Sequence, residues 1–241
     1  MDNWKKAAWI AKFELKKSLL GIVLLLVILA ILPFLVHNSF EDYMQNNYMG
    51  FDGFFIIIFG FLAIWCKPKH FQYQKIEGDL WASPYFVMLH QLSIPKDVLV
   101  KSRFIVFFTY SIPFHILLLV VIYAFVPYVQ SLFSIWEFVS FAIIWIGVGI
   151  VIGAIYPASD SGDYVTMQKM IVYFIAGVMG YFLVSFALYY FSDYGIVYWT
   201  AEWAANYPLI SIIISVLIST LSIQYWIHYT KKNMNKIDYL I

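Results

Sequence analysis

The sequence predicts an all-α membrane protein with six transmembrane helices and both ends on the cytoplasmic side. Two observations carry this: apolar runs of bilayer length, and basic residues confined to alternate connecting segments. Of 241 residues, 63% are hydrophobic and 12% are charged, and the mean hydropathy is +0.79. A soluble domain has roughly 25% charged residues, so this chain lacks the polar surface that would keep it in water. The net charge of +1 hides a strong asymmetry along the chain. Cys66 is the only cysteine, which excludes an intramolecular disulfide and a cysteine-based metal site.

A helix crossing about 30 Å of hydrocarbon at about 1.5 Å per residue needs about 20 apolar residues. Six stretches come close: 19–36, 51–66, 104–126, 138–156, 170–191 and 208–227. The first follows a basic flank and has no small-residue cleavage signature, so it reads as a retained span and not a signal peptide. The second is the weakest, because it is short and Asp52 stands at its start. It spans if Tyr48 and Met49 extend it or the bilayer thins locally.

The basic residues supply an independent check. Six spans with the N-terminus inside place 1–18, 67–103, 157–169 and 228–241 on the inner face, and these hold all 15 Lys and Arg. The outer segments 37–50, 127–137 and 192–207 hold none, and carry Glu41, Asp42, Glu137, Asp193 and Glu202. Positive charge retained on the cytoplasmic side orients membrane proteins. Deleting the second span would put the basic residues of 67–103 outside. Tyr123, Tyr128, Trp136, Tyr189, Tyr190, Trp199 and Trp203 fall at outer span ends, the headgroup level favoured by amphipathic rings.

Four connecting segments are candidates for function. On a helix over 1–18, Trp4, Ala7, Ala8, Ala11, Leu15 and Leu19 share a stripe, flanked by Lys5, Lys12 and Lys16. Such a helix can lie in the interface with its lysines reaching headgroups, although an ordinary basic flank that sets orientation has the same residues. The inner loop 67–103 is far longer than the 2–8 residues that usually join helices. Within it, Ser83-Pro84 suits a helix start, and Trp81, Tyr85, Met88, Leu89 and Leu92 recur on one helical face. Pro95 and Lys96 then begin the helix that feeds the third span. This face fits either a cytosolic partner or the bundle's own inner ends. The turn 157–164 carries Asp160 and Asp163 without calcium-loop spacing, and reads as a flexible, partner-facing turn. Segment 192–207, with Trp199, Ala201, Trp203, Ala204 and Ala205, reads as a re-entrant or interfacial turn.

Catalytic machinery is missing from the sequence. It has no G-x-x-x-x-G-K-[ST] phosphate loop, no H-E-x-x-H pair and no G-x-S-x-G elbow. No Asp, Glu, Lys or Arg lies mid-span, and His115 is the single ionisable candidate there. Gly147, Gly149 and Gly153, then Gly177 and Gly180, offer small-residue packing faces. The chain is expected to need no cofactor of its own and to bind no nucleic acid. A membrane enzyme is disfavoured.

The layout resembles the membrane subunit of an ABC-2 type ATP-binding-cassette transporter over essentially the whole chain. The residues that carry the resemblance are Ile10-Ala11-Lys12-Phe13-Glu14-Leu15-Lys16-Lys17 before the first span, Ile76-Glu77-Gly78, and the run from Leu92 to Lys101 around Pro95. The family often has Arg after a Pro-x-Ser turn, whereas Lys96 follows Pro95 directly here. The resemblance implies one transmembrane domain over 1–241, with an interfacial connecting helix in 1–18 and a coupling helix in 67–103. It also implies a separate cytosolic ATPase that binds ATP and magnesium, a second membrane subunit forming a homodimer, and contact with lipid in a bacterial plasma membrane. An export permease with amphipathic or hydrophobic cargo (peptide, lipid or drug) is the implied activity. A non-transporting immunity or sensor-anchoring subunit would have the same span count.

Overall fold

The computed structural model describes residues 2–46 and 48–239. The assigned inner ends start at Met1 and finish at Ile241, which with Asn47 and Leu240 lie outside the described residues. Helix α1 is Asn3–Lys17, started by the Asp2 carboxylate, which accepts from the Trp4 amide at 3.3 Å. Helices α2 (Leu19–Asn46) and α3 (Met49–Trp65) follow. A small antiparallel sheet of β1 (Gln74–Glu77), β2 (Leu80–Ala82) and β3 (Asp163–Tyr164) is ordered β1-β2-β3. Between β2 and β3 run α4 (Pro84–His90), α5 (Lys96–Phe125), α6 (Pro127–Leu132), α7 (Ile135–Gly153) and α8 (Ile155–Asp160). The chain ends with α9 (Met167–Ser192), α10 (Ile196–Asn206) and α11 (Pro208–Asn233).

The fold is predominantly helical, and among the described residues five helices are long and apolar enough to cross a membrane: α2, α5, α7 continued by α8, α9 and α11. The shorter α3 has 17 residues, about 26 Å at the ordinary helical rise. It nonetheless lies antiparallel to α2 along the bundle. Asp52 near its start touches Tyr43 of α2, and the Cys66 carbonyl just past its end fills the space beside Gly21.

The helix ends collect at two poles. Contacts among Glu14, Lys67, Arg103 and Asp160, together with Lys231 on Asp97, bring the segments that hold the basic residues to one pole. Tyr43, Asp52, Tyr189 and Val197 meet at the other, where Ser140 also donates to the Pro208 carbonyl. These are called the basic and acidic poles below.

Local sequence explains the bounds. Pro95 supplies the N-cap of α5, as its fixed φ predicts. Ser134 and Glu137 form a reciprocal capping box at the start of α7. Helix α2 outruns its expected apolar limit at Val36 because its last turns still have a packed face: Phe40 and Tyr43 are buried against Phe51, with ring centroids 5.7 and 4.7 Å apart. Phe51, Phe55 and Phe59 repeat every four residues on α3 and pack in series; Phe55 packs on Phe141 and Trp145 of α7, and Phe59 on Trp145. A π turn over Ile58–Leu62 interrupts α3 where Gly149 of α7 admits the Phe59 carbonyl and the His115 ring. Gly177 and Gly180 meet nothing within 4 Å, so that expected packing face is unused inside the chain.

Candidate functional site

The basic pole is built around four buried charges. Glu14 comes from α1, Lys67 follows α3, Arg103 lies in the second turn of α5 and Asp160 ends α8. Arg103 Nη1 lies 2.5 Å from Glu14 Oε2, and Lys67 Nζ lies 2.6 Å from Asp160 Oδ2 and 3.8 Å from Glu14 Oε1. The formal charges cancel. Desolvating four ions is unfavourable, and mutual pairing in a low-dielectric interior offsets it only while every partner is present. The cluster therefore ties four separate chain segments to one geometry.

Helix α1 reaches this cluster by a stripe different from the expected one. Ala7, Ile10, Ala11 and Glu14 are buried, with Ser18 behind them, and the stripe packs along α5. Leu15 is half-buried, while Trp4, Ala8, Lys5, Lys12 and Lys16 are exposed. Alanine at 7 and 11 allows the close approach, and Glu14 completes the i, i+3, i+4, i+7 pattern. Trp4 is covered by the Lys101 ammonium, 4.9 Å from its ring centre.

The expected partner-binding face is partly reorganised. Trp81 does not lie on the helix; it belongs to β2, paired with Lys75 and Asp163. Leu89 turns inward at 6% exposure with Phe86 and Val87, whereas Met88 and Leu92 are 51% and 53% exposed. Leu92 lies beyond the end of α4, and Pro95 and Lys96 are exposed. Lys96 donates to Asn235 Oδ1 at 2.7 Å. The Ser83 hydroxyl does not cap α4; it reaches the His70 carbonyl at 3.4 Å. Asp160 is not in a free turn, since it is buried on Lys67, and Asp163 is held in β3.

Tyr85 links this face to the charges beneath. Its ring stacks on Phe13 at 5.7 Å, and the Arg103 guanidinium lies 5.4 Å from its centre. Burial raises the Tyr85 hydroxyl above its ordinary value, and the Arg103 charge opposes that shift. A cleft of about 490 Å³ opens here, lined by Phe13, Lys17, His70, Tyr85 and Met88 among others.

The acidic pole has a different construction. Buried Asp52 accepts from the Tyr43 hydroxyl at 2.8 Å, the Val197 amide at 2.8 Å and the Tyr189 hydroxyl at 3.3 Å. Tyr43 accepts in turn from the Tyr198 amide at 3.1 Å. Asp52 therefore caps the N-terminus of α10 from another helix, where unpaired amides and the helix dipole favour a carboxylate. The segment expected to be a re-entrant or interfacial turn carries a helix packed on one side, with Val197, Ala201 and Ala204 buried and Trp199 and Trp203 exposed.

Beneath α10 lies a cavity of about 410 Å³ between α7, α9 and α11. Its polar edges are the hydroxyls of Thr200, Ser211, Ser215 and Ser219, each donating to a backbone carbonyl. The walls are otherwise apolar, and no charged side chain lines it. One wall is loose: only 6% of the apolar window of α9 is buried. The Tyr181 hydroxyl, donating to the Met49 carbonyl at 2.6 Å, and the Tyr189 contact with Asp52 attach that helix to α3.

His115 is fully buried between Phe59 and Phe114, outside this cavity, and neither ring nitrogen has a hydrogen bond of regular geometry. No group of three or more metal-ligating side chains occurs among the described residues. No protein-family profile, curated protein or solved structure matches the chain.

Proposed function

We propose that the chain is the membrane-spanning permease subunit of an ATP-binding-cassette exporter, driven by a separate cytosolic ATPase. In this reading α2, α3, α5, α7, α9 and α11 are six spans, and the basic pole faces the cytoplasm of a bacterial cell. Helix α3 supports the sixth crossing by running between the same two poles as its longer neighbours. The single observation that carries the reading is the arrangement at the basic pole. A short helix exposes Met88, with Leu92 just beyond it, beside the Phe13–Tyr85 cleft, and Tyr85 rests directly on the charge cluster joining α1, α3, α5 and α8. A partner gripping α4 would move the span ends as one body.

The ATPase would bind ATP and magnesium, and a second copy of the chain would complete the path. The cavity under α10 supports an amphipathic or hydrophobic cargo, since its walls are apolar and its rim tryptophans suit an interfacial head. Affinity purification of the full chain from its native membrane tests the proposal. A phosphate-loop ATPase should co-purify, and Met88→Glu should deplete it at least tenfold while the helical circular dichroism is unchanged. Recovery of the chain with no ATPase under mild solubilisation overturns the reading.

A further inference from the structure

A second site at the basic pole belongs to neither the coupling face nor the cargo cavity. It is a pocket of about 260 Å³ between the sheet and the ends of α8, α9 and α11. Four aromatic rings surround it: Tyr73 from the inner loop, Tyr173 from α9, and Trp226 and Tyr229 from α11. Trp226 and Tyr229 form a corner, their planes at 80° and their centroids 5.5 Å apart. Tyr73 is backed by Trp81, stacked at 5.7 Å. Asp163 sits among them, and its carboxylate accepts a long hydrogen bond of 3.5 Å from the Tyr229 hydroxyl. Asn233 fixes the adjoining turn by donating to the Gly162 carbonyl at 3.0 Å, where Gly162 has φ +100°.

Among the described residues no cation pairs with Asp163, and no Lys or Arg lines the pocket. An anion would meet both this carboxylate and the negative faces of the rings. A neutral apolar ligand would bury the carboxylate without a partner. A hard metal ion would find a single carboxylate and no second ligand of its kind. An organic ammonium group satisfies both features, because aromatic faces attract it within about 6 Å of their centres. Tyr173 is 66% exposed near the start of α9, a helix of membrane-spanning length, and with that helix across a bilayer the pocket would open at the headgroup level.

We infer that Tyr73, Tyr173, Trp226, Tyr229 and Asp163 form a binding site for an organic ammonium group at the membrane boundary, of the kind present in ethanolamine and choline headgroups. The inference does not depend on the transport reading. Native mass spectrometry of the full chain, released from detergent with equimolar ethanolamine-headgroup and glycerol-headgroup lipids of matched chains, tests it. The wild type should retain the ammonium lipid at least tenfold over the glycerol lipid. Asp163→Asn should abolish that preference, and Tyr173→Leu, which alters an exposed wall and leaves the fold intact, should reduce it several-fold. Competition by free ethanolamine and choline in lipid-free detergent identifies the source. Displacement of the lipid by millimolar free amine shows that a soluble amine suffices, and retention of the lipid shows that the headgroup is recognised together with its acyl chains. Equal retention of both lipids by the wild type, with no binding of free amine, overturns the inference. So does a preference that both variants keep.

Discussion

Neutralising Glu14 tests whether the buried charges work as one unit. Glu14→Gln preserves volume but leaves Arg103 and Lys67 facing only Asp160, a net positive charge in a site with almost no solvent contact. Breaking a buried pair in this way destabilises by about 3–5 kcal/mol. For chains of this size, each kcal/mol shifts the thermal midpoint by about 2–4 °C, so the variant should melt about 6–20 °C lower. Arg103→Met leaves the opposite imbalance and should lose a similar amount. The double variant keeps the Lys67–Asp160 pair and restores neutrality, so it should lie within about 2 kcal/mol of the wild type instead of losing the sum. Thermal unfolding of the full chain in detergent measures the cycle. Thiol labelling of Ile10→Cys, at a buried position on α1, reports whether that helix is released in the single variants. Additive losses in the double variant would refute the argument, because they would show that the four charges contribute independently.

At the acidic pole, Asp52→Asn removes the charge that accepts from Tyr43 and Val197 and should lower stability by about 1.5–3 kcal/mol, the range for a hydrogen bond to a charged group. Unchanged thermal unfolding would contradict that role. Gly195→Ala should destabilise comparably, because a Cβ there would collide with the Asp52 carboxylate and the Tyr43 and Tyr189 hydroxyls. At the C-terminus, the His90 ring stacks on Tyr239 at 3.9 Å. Burial, assisted by the Lys96 charge, holds His90 below its ordinary value of 6.5. The undocked ring therefore takes up a proton more readily, so docking is complete above that value and weakens as pH falls through it. Proteolysis near Tyr239 should accelerate between about pH 7.5 and about pH 5.5, and His90→Phe should remove the dependence. An identical acceleration in that variant would exclude His90 as its origin.

The helices and their order were legible because each apolar run is a local property: a helix buries its own backbone polar groups, and its length must match the slab. Helix α5 begins just after the expected proline, α9 and α11 enclose their expected apolar runs, and the run 138–156 continues from α7 into α8. Helix α4 was legible in existence but not in orientation, since Leu89 and Met88 are equally apolar and the fold buries one and exposes the other. Trp81 fits a helical period yet pairs in β2, because β1 just before it and β3, some 80 residues away, hold that strand from both sides. The charge cluster carried faint signals. Arg103 is the single arginine beside 14 lysines, and Glu14 interrupts the small-residue stripe of α1 at a buried position.

Composition and charge order settle that this chain is a bundle of apolar helices with its basic residues on alternate connections, because both are counted along one dimension. Tertiary structure alone decides that Glu14, Lys67, Arg103 and Asp160 share one site, that Asp52 caps a helix 145 residues further on, and that Asp163 sits among four rings. Pairing energies depend on distances across the bundle, and those distances are defined only once the helices have chosen their neighbours.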